Sequence, residues 1–215
     1  MKKLRGLLKA SHFGPTLLVT AISFGFATHY WWEGPAYVIA FGVFTGQLVV
    51  GWSNDLYDYE DDLRHDRQNK PLVAKTISKE ILQRWLRFMV PFSFIANLLG
   101  PLGIKGGLVY MLGIACGVAY NLYFKFSPLS PLPYAIAFAA LPSSIAISKE
   151  ITPPTWMWLG GALFGMAAHF INVIKDMKED QVSQIRGLPQ ILGTKKSILA
   201  ASALTSLGIA LLLSA

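Results

Sequence analysis

The sequence predicts an all-α fold, a polytopic bundle of membrane-spanning helices within a single domain, residues 1–215. Only 14% of the 215 residues are charged while 53% are hydrophobic, and the charges leave seven uncharged runs of 17 to 24 residues. A soluble domain has about 25% charged residues, and a helix needs roughly 17 to 25 apolar residues to cross a bilayer. The runs are 10–32, 34–54, 88–104, 106–124, 126–148, 151–174 and 197–215. This composition excludes a soluble enzyme, a disordered chain and a nucleic-acid-binding module.

The basic residues predict how the bundle is oriented. If the seven runs alternate across the bilayer, 17 of the 19 Lys and Arg residues lie on the face that holds the N-terminus, and only Lys105 and Lys149 lie on the other face. Because cytoplasmic loops are enriched in Lys and Arg, the first face is predicted to be cytoplasmic. Ten of the 12 acidic residues share that face. Acidic residues contribute little to orientation, so their clustering predicts a functional site there.

The second and sixth runs end in the same acidic pattern. The pattern N-x-x-x-D-x-x-x-D occurs at Asn54–Asp62 and again at Asn172–Asp180, with an offset of 118 residues, and the same offset relates Pro71 to Pro189. Internal repeats of this kind are common in membrane proteins. The chain is therefore predicted to contain two related halves, each with an acidic exit from the membrane at the corresponding position.

Helical geometry places the acidic residues of each exit on one helix face. Asp55, Asp58 and Asp62 are spaced i, i+3 and i+7, and Asp176 and Asp180 are spaced i and i+4. Carboxylates so concentrated repel one another unless a cation neutralises them, and a set of oxygen ligands favours Mg²⁺. Mg²⁺ usually takes one or two carboxylates and completes its coordination with water and substrate phosphates. The two exits therefore predict a site for Mg²⁺ and a diphosphate.

Basic and amide side chains beside the two exits are candidate ligands for the phosphate oxygens. Such cations can bind a diphosphate and stabilise the charge that develops on it as a leaving group. A hydrophobic chamber between the helices would hold an isoprenoid tail. The candidate diphosphate-binding residues are Asn54, Arg64, Arg67, Lys70, Asn172 and Lys175.

The ordered pair of motifs resembles the UbiA-type intramembrane prenyltransferases. N-D-x-x-D-x-x-x-D at Asn54–Asp62 is followed by D-x-x-x-D at Asp176–Asp180, at the ends of the second and sixth spans. The resemblance implies an all-helical membrane enzyme that uses Mg²⁺ to bind a prenyl diphosphate. Such an enzyme transfers the prenyl group to a hydrophobic acceptor, often an aromatic quinone precursor. The family usually has nine spans, so we expect this chain to lack the last two.

The resemblance also implies roles for individual residues. Residues 64–70 correspond to the family's diphosphate-binding loop, and Tyr120 and Lys125 resemble its tyrosine and lysine at the exit of the fourth span. Asp58 and Asp62 join this pair as candidate catalytic residues. One magnesium would be held by Asn54, Asp55, Asp58 and Asp62, and the other by Asp176 and Asp180.

A cation-coupled membrane transporter is the alternative function. Transporters also contain internal repeats and acidic residues, but their binding sites lie near the middle of the bilayer. The acidic residues here lie at the membrane exits, with Arg and Lys beside them. The sequence does not identify the acceptor, since a haem, a chlorophyll-type molecule or a lipid would also be suitable. It does not predict the oligomeric state either.

Two further polar features lie within the predicted spans. His169 is on the same helix face as Asp176 and about 10 Å deeper, where it can meet an acceptor or, more commonly for a polar group in a membrane bundle, bond to a neighbouring helix. His12, Thr16 and Thr20 form a polar stripe on the first span that is predicted to link helices.

Overall fold

The structure is a computed structural model that describes residues 2–215, and every regular element in this part of the chain is helical. The seven long helices α2 to α8 overlap the seven uncharged runs, which confirms the predicted all-α fold. A short helix, α1, precedes them at a position where none was predicted. The helices are α1 (Lys2–Ala10), α2 (Phe13–Tyr30), α3 (Glu33–Arg64), α4 (Lys79–Leu99), α5 (Gly103–Leu122), α6 (Pro131–Ile147), α7 (Thr155–Val182) and α8 (Leu188–Leu213), with a 3₁₀ turn at Phe124–Phe126.

Prolines, glycines and a capping serine set several helix ends. The side chain of Ser78 accepts a hydrogen bond of 3.4 Å from the Ile81 N–H and so caps α4. Gly100 follows the last residue of the same helix, next to a proline that cannot continue it. α6 begins with Pro131, because proline has a helical φ and lacks only an N–H that the first turn leaves unbonded. Pro154 precedes α7 in an extended conformation.

The long apolar helices indicate an integral membrane protein. By length and apolarity, four helices in the described part of the chain can cross a membrane, namely α3, α5, α7 and α8. α6 is equally apolar but has only 17 residues, and the first half of α4 carries several charged residues. The count of seven crossings and the cytoplasmic orientation therefore stay predictions.

Neighbouring helices pack in the order of the chain, and α3 also packs against α5, and α2 against α6. α7 lies close to α6 because Gly161 and Gly165 face it. A Cβ atom at Gly161 would lie 2.5 Å from the carbonyl oxygen of Phe138. Small residues allow such close approach between membrane helices, and here they fix the helix that carries the second acidic exit.

Buried polar side chains join α3 to two of its neighbours. The amide of Asn97 in α4 donates a hydrogen bond of 3.1 Å to the carbonyl oxygen of Gly42, and the hydroxyl of Tyr110 in α5 donates one of 2.9 Å to the carbonyl oxygen of Val43. Interhelical hydrogen bonds of this kind stabilise membrane bundles. Closer to the acidic end of α3, the amide of Asn121 in α5 donates a further hydrogen bond of 3.1 Å to the carbonyl oxygen of Val50.

Candidate active site

The first acidic exit is the last two and a half turns of α3. Asp55 and Asp62 are 3% and 2% exposed, and Asp58 between them is half-buried. A buried carboxylate needs a cation or hydrogen-bond donors to offset its lost hydration. The positive groups that offset these carboxylates come from residues outside α3.

Lys70 connects two carboxylates of this exit. Its Nζ lies 3.0 Å from Oδ1 of Asp55 and 3.7 Å from Oδ2 of Asp62. Burial alone would lower the pKa of the Lys70 amine, but the nearby carboxylates outweigh that effect and raise its pKa above the ordinary value. Lys70 is therefore charged at neutral pH and balances part of the negative charge of α3.

Arg67 and Ser183 join the first exit to the second. The Arg67 guanidinium donates hydrogen bonds of 2.7 Å to Oδ1 of Asp62 and 2.7 Å to Oγ of Ser183. The Ser183 hydroxyl donates in turn to Oδ2 of Asp61 at 2.6 Å. Nε of Arg67 is also 3.9 Å from a carboxylate oxygen of Glu179 in α7. The ends of α3 and α7 therefore meet at one place, as the matching sequence patterns predict.

Lys125 reaches Asp58 from the 3₁₀ turn after α5. Its side chain is only 6% exposed and donates a hydrogen bond to Oδ1 of Asp58. Its Nζ also lies 5.0 Å from the ring centre of Tyr57 and 5.2 Å from that of Phe126, within the range of a cation–π contact. The structure thus brings Lys125 to the first exit, next to Asp58, another of the candidate catalytic residues.

The second exit has fewer contacts with cations. Asp176 is exposed and Asp180 is half-buried, and within residues 2–215 neither carboxylate lies within ion-pair distance of a Lys, Arg or His. Asp180 accepts one hydrogen bond of 2.7 Å, from the neutral amide of Gln190 in α8. Both carboxylates keep oxygen atoms available to a ligand.

A group of aromatic rings lies on the next three helices. Tyr120 of α5, Tyr134 of α6 and His169 of α7 have ring centres 4.7 to 5.4 Å apart. Nε2 of His169 lies 3.0 Å from Oγ of Ser130, which also accepts a 3.0 Å hydrogen bond from the Leu188 N–H. His169 therefore bonds to a neighbouring segment, the commoner of the two roles considered for it. Tyr120 lies five residues before Lys125, and His169 lies seven residues before Asp176 on α7, so the rings adjoin the acidic exits.

The other candidate residues lie around this cluster without ion pairs to it. Arg64 is exposed, and its Nε bonds the carbonyl oxygen of Glu60 in its own helix at 3.4 Å. Lys175 and Asn172 are exposed on α7, and Asn54 is half-buried on α3. Their assignment to the diphosphate stays a prediction.

The predicted polar stripe on the first span links helices only in part. His12 lies before α2 in a left-handed conformation, with φ of 52°, and its Nε2 is 3.4 Å from Oδ1 of Asp55. Thr16 and Thr20 donate hydrogen bonds to the carbonyl oxygens of Ser11 and Thr16 in their own segment. Within the described residues, His12 of the stripe therefore links to α3 as predicted, whereas the hydroxyls of Thr16 and Thr20 bond within their own segment.

Five residues of the cluster were not predicted from the sequence. Asp61 and Glu179 lie within the acidic helix ends, and the other three are His12, Ser183 and Gln190. Each of these three lies in or beside a turn between helices, where side-chain direction depends on the turn. Ser183 follows the second pattern by three residues, and this proximity is the only sequence signal that could have identified it.

The acidic cluster fits Mg²⁺ through the kind of atoms that it offers. Oδ2 of Asp55 is buried and has no hydrogen-bond partner among the described residues, and the carboxylate of Asp176 has no paired cation. In the described part of the chain, no three acidic, His or Cys side chains form a ready metal cage. Mg²⁺ typically binds one or two protein carboxylates and takes its other ligands from water and phosphate.

Known proteins resemble this chain in sequence and fold. It is 24% identical over 170 residues to a lycopene elongase/hydratase of Corynebacterium glutamicum, in an alignment that covers 74% of this chain and 58% of that protein. It is 28% identical over 160 residues to a digeranylgeranylglyceryl phosphate synthase of Archaeoglobus fulgidus, covering 69% and 52%. The chain thus spans between 52% and 58% of the length of these curated relatives.

Solved structures share the fold at low sequence identity. A UbiA homologue from Archaeoglobus fulgidus bound to GPP and Mg²⁺ has a TM-score of 0.80 and 18% identity, over 96% of this chain and 76% of that one. A UbiA homologue from Aeropyrum pernix K1 has a TM-score of 0.72 and 18% identity, over 96% and 76%. A model of the UbiA prenyltransferase family matches residues 15–215, and the chain therefore belongs to the UbiA prenyltransferase family.

Proposed function

We propose that this protein transfers a prenyl group from an isoprenoid diphosphate to a hydrophobic acceptor within the membrane, with Mg²⁺ as cofactor. The observation that supports this most strongly is the meeting of the acidic ends of α3 and α7 around Arg67 and Ser183. Such a site combines carboxylates for metal ions with cations for phosphate oxygens. The solved homologue bound to GPP and Mg²⁺ supports the same ligand class.

The residues of the two exits would divide the work of binding. Asp176 and Asp180 would hold one metal ion, and the free oxygen of Asp55 would help to hold the other. Both ions would supply positive charge against the diphosphate. Lys70 and Arg67 would exchange contacts with carboxylates for contacts with phosphate oxygens, because both sets of oxygens suit charge-assisted hydrogen bonds. We keep Asn54, Asp58 and Asp62 as further ligands of the first exit.

The reaction breaks the bond between the allylic carbon and the diphosphate oxygen, and the diphosphate leaves with the bonding electrons. Arg67, Lys70 and Lys125 would stabilise the growing negative charge. The prenyl carbon gains positive charge, and the rings of Tyr120 and Tyr134 offer it a π-face. The acceptor atom, a carbon of an aromatic ring or a polyene or a hydroxyl oxygen of a glyceryl lipid, then forms the new bond and releases a proton.

The acceptor is the less defined substrate. The names of the two relatives indicate a glyceryl phosphate lipid and a carotenoid, whereas the family resemblance more often implies an aromatic quinone precursor. We therefore propose a hydrophobic acceptor and test all three classes. The site would face the cytoplasm, as the distribution of Lys and Arg predicts.

The test reconstitutes the purified protein in proteoliposomes with labelled prenyl diphosphates, one acceptor of each class, and Mg²⁺ or EDTA. We expect labelled product and released diphosphate only with Mg²⁺, and loss of both in Asp176→Ala. Glu150→Gln, a change at the end of the bundle opposite to the predicted site, is the matched control. Substrate-dependent ion flux without diphosphate release would contradict the proposal and favour a transporter.

A further inference from the structure

Helix α1 has one face fixed to the protein. Gly6 and Ala10 are buried, and Trp52 Nε1 in α3 donates a hydrogen bond of 3.0 Å to the carbonyl oxygen of Leu7. Gly6 lies directly against Ile77, in the segment that follows Lys70. α1 is therefore a defined part of the fold, held by α3 and by the segment that ends at α4.

The other face of α1 is apolar along one line and basic along the next. Leu4 is 62% exposed, and Leu8 follows it at i+4. Arg5 and Lys9 form a parallel i, i+4 pair, and both are exposed. Lys2 and Lys3 add two more exposed positive charges, and α1 contains no acidic residue.

None of these four basic residues has a carboxylate partner in the described part of the chain. They differ in this from Arg67, Lys70 and Lys125, which all bind carboxylates. Four unpaired bases beside one exposed leucine, Leu4, and one half-buried leucine, Leu8, suit a surface that is negative outside and apolar just beneath. The boundary of a bilayer with anionic lipids has this structure, since headgroups attract Lys and Arg while apolar side chains enter the acyl boundary.

We propose that α1 is a binding surface for anionic phospholipids. Leu4 and Leu8 enter the acyl boundary, and Arg5 and Lys9, assisted by the two N-terminal lysines, bind headgroup phosphates. Because α1 packs on Ile77 and is followed by His12, which contacts Asp55, lipid binding also steadies the segment beside the first acidic exit.

The test uses the full chain in nanodiscs of phosphatidylcholine with increasing shares of phosphatidylglycerol. Amide hydrogen exchange in α1 reports how firmly the helix is held. We expect protection to rise with the phosphatidylglycerol content and to fall with added salt. In Arg5→Gln/Lys9→Gln the gain should shrink by roughly tenfold or more, since each base near an anionic surface contributes about a fivefold effect.

Lys105→Gln/Lys149→Gln is the matched control, because it removes two positive charges from the opposite end of the bundle. Equal protection of α1 in both lipids would overturn the proposal, as would the same loss in the control variant. Protection by soluble inorganic diphosphate in phosphatidylcholine discs would assign these bases to substrate and would also overturn it.

A second measurement does not depend on removing charges. A nitroxide attached through Leu4→Cys in a Cys116→Ser background reports depth by its access to oxygen and to a water-soluble nickel complex. We expect the label to lie deeper, with less access to nickel, when phosphatidylglycerol is present. Unchanged access to nickel would overturn the proposal even if the charge variants fail to fold.

Discussion

The two acidic exits share a sequence pattern but differ in their charge balance. At the end of α3, Asp55 and Asp62 are 3% and 2% exposed and lie against Lys70 and Arg67. At the end of α7, Asp176 is exposed and has no cation within ion-pair distance in residues 2–215. The first exit is neutralised by the protein itself, and the second keeps its charge available.

This difference indicates a division of labour between the halves of the repeat. Under the proposed function, the carboxylates of α3 would position the cations for a diphosphate, so that Lys70 and Arg67 would be in place before substrate arrives. The carboxylates of α7 would be available to a metal ion. A preorganised arrangement of charges is how a site stabilises a leaving group without rearranging as the reaction proceeds.

The strongest test of this comparison replaces one aspartate at each exit. Asp58→Asn and Asp176→Asn should each lower Mg²⁺-dependent prenyl transfer by about a hundredfold or more. Only Asp58→Asn should also lower the free energy of unfolding, by about 2–3 kcal/mol, because it leaves the buried Lys125 without its carboxylate. Turnover and thermal unfolding in micelles measure the two effects. Normal turnover by either variant contradicts the proposed site, and equal stability losses contradict the comparison.

The next test removes the cation that bridges two carboxylates. Lys70→Gln should destabilise the protein by about 2 kcal/mol, because Asp55 and Asp62 lose their shared partner, and should weaken binding of the prenyl diphosphate. Adding Asp55→Asn should recover part of the stability but not the binding, a non-additivity typical of contacting groups. Lys105→Gln, in an exposed position at the other end of the bundle, is the control. If the stability changes of Lys70→Gln and Asp55→Asn were fully additive, Lys70 would not be the shared partner of Asp55 and Asp62.

The connection between the two exits is tested by removing one hydroxyl group, that of Ser183. Ser183→Ala deletes the hydrogen bonds to Arg67 and Asp61 and should cost about 1–2 kcal/mol. We expect KM for the prenyl diphosphate to rise several-fold while kcat changes less, because Arg67 loses one of its anchors. Ser127→Ala, which removes a hydroxyl that accepts a hydrogen bond from the nearby Leu129 N–H, should leave KM unchanged. An unchanged KM in Ser183→Ala would show that the exits do not act together through this residue.

The smallest effect is expected beneath the second exit. Ser130→Ala removes the partner of His169 and of the Leu188 N–H, and should cost about 1 kcal/mol with faster amide exchange at Leu188. The required Mg²⁺ concentration should stay the same. Ser144→Ala is a buried control, since that hydroxyl donates within its own helix to Leu141 at 2.6 Å. A changed Mg²⁺ requirement in Ser130→Ala would mean that this bond positions the carboxylates of α7.

Much of the fold and part of the site were predictable because they depend on residues that are close together in the sequence. Uncharged runs long enough to cross a bilayer specify helices wherever they occur. The spacing of Asp55, Asp58 and Asp62 puts them on one face of any helix. The offset of 118 residues between Asp58 and Asp176 predicted that the two exits are equivalent. It did not predict the distance between them in space.

Other features of the site depend on turns and could not be predicted. Ser183 and His12 lie where the chain leaves a helix, and the direction of a side chain there depends on the backbone turn and on its neighbours. Arg64 and Arg67 differ by three positions in one basic stretch, yet Arg64 bonds within α3 while Arg67 reaches α7. The amino-acid composition alone does not distinguish Arg64 from Arg67.

The sequence by itself determined that the chain is a bundle of membrane helices and that two acidic patterns end the second and sixth runs. Only the tertiary structure decided which carboxylates are neutralised and which are free. The physical reason is that helical periodicity and hydrophobicity act between residues close in the chain. The pairing of Lys70, Arg67 and Lys125 with their carboxylates depends on where separate helices and turns are brought together.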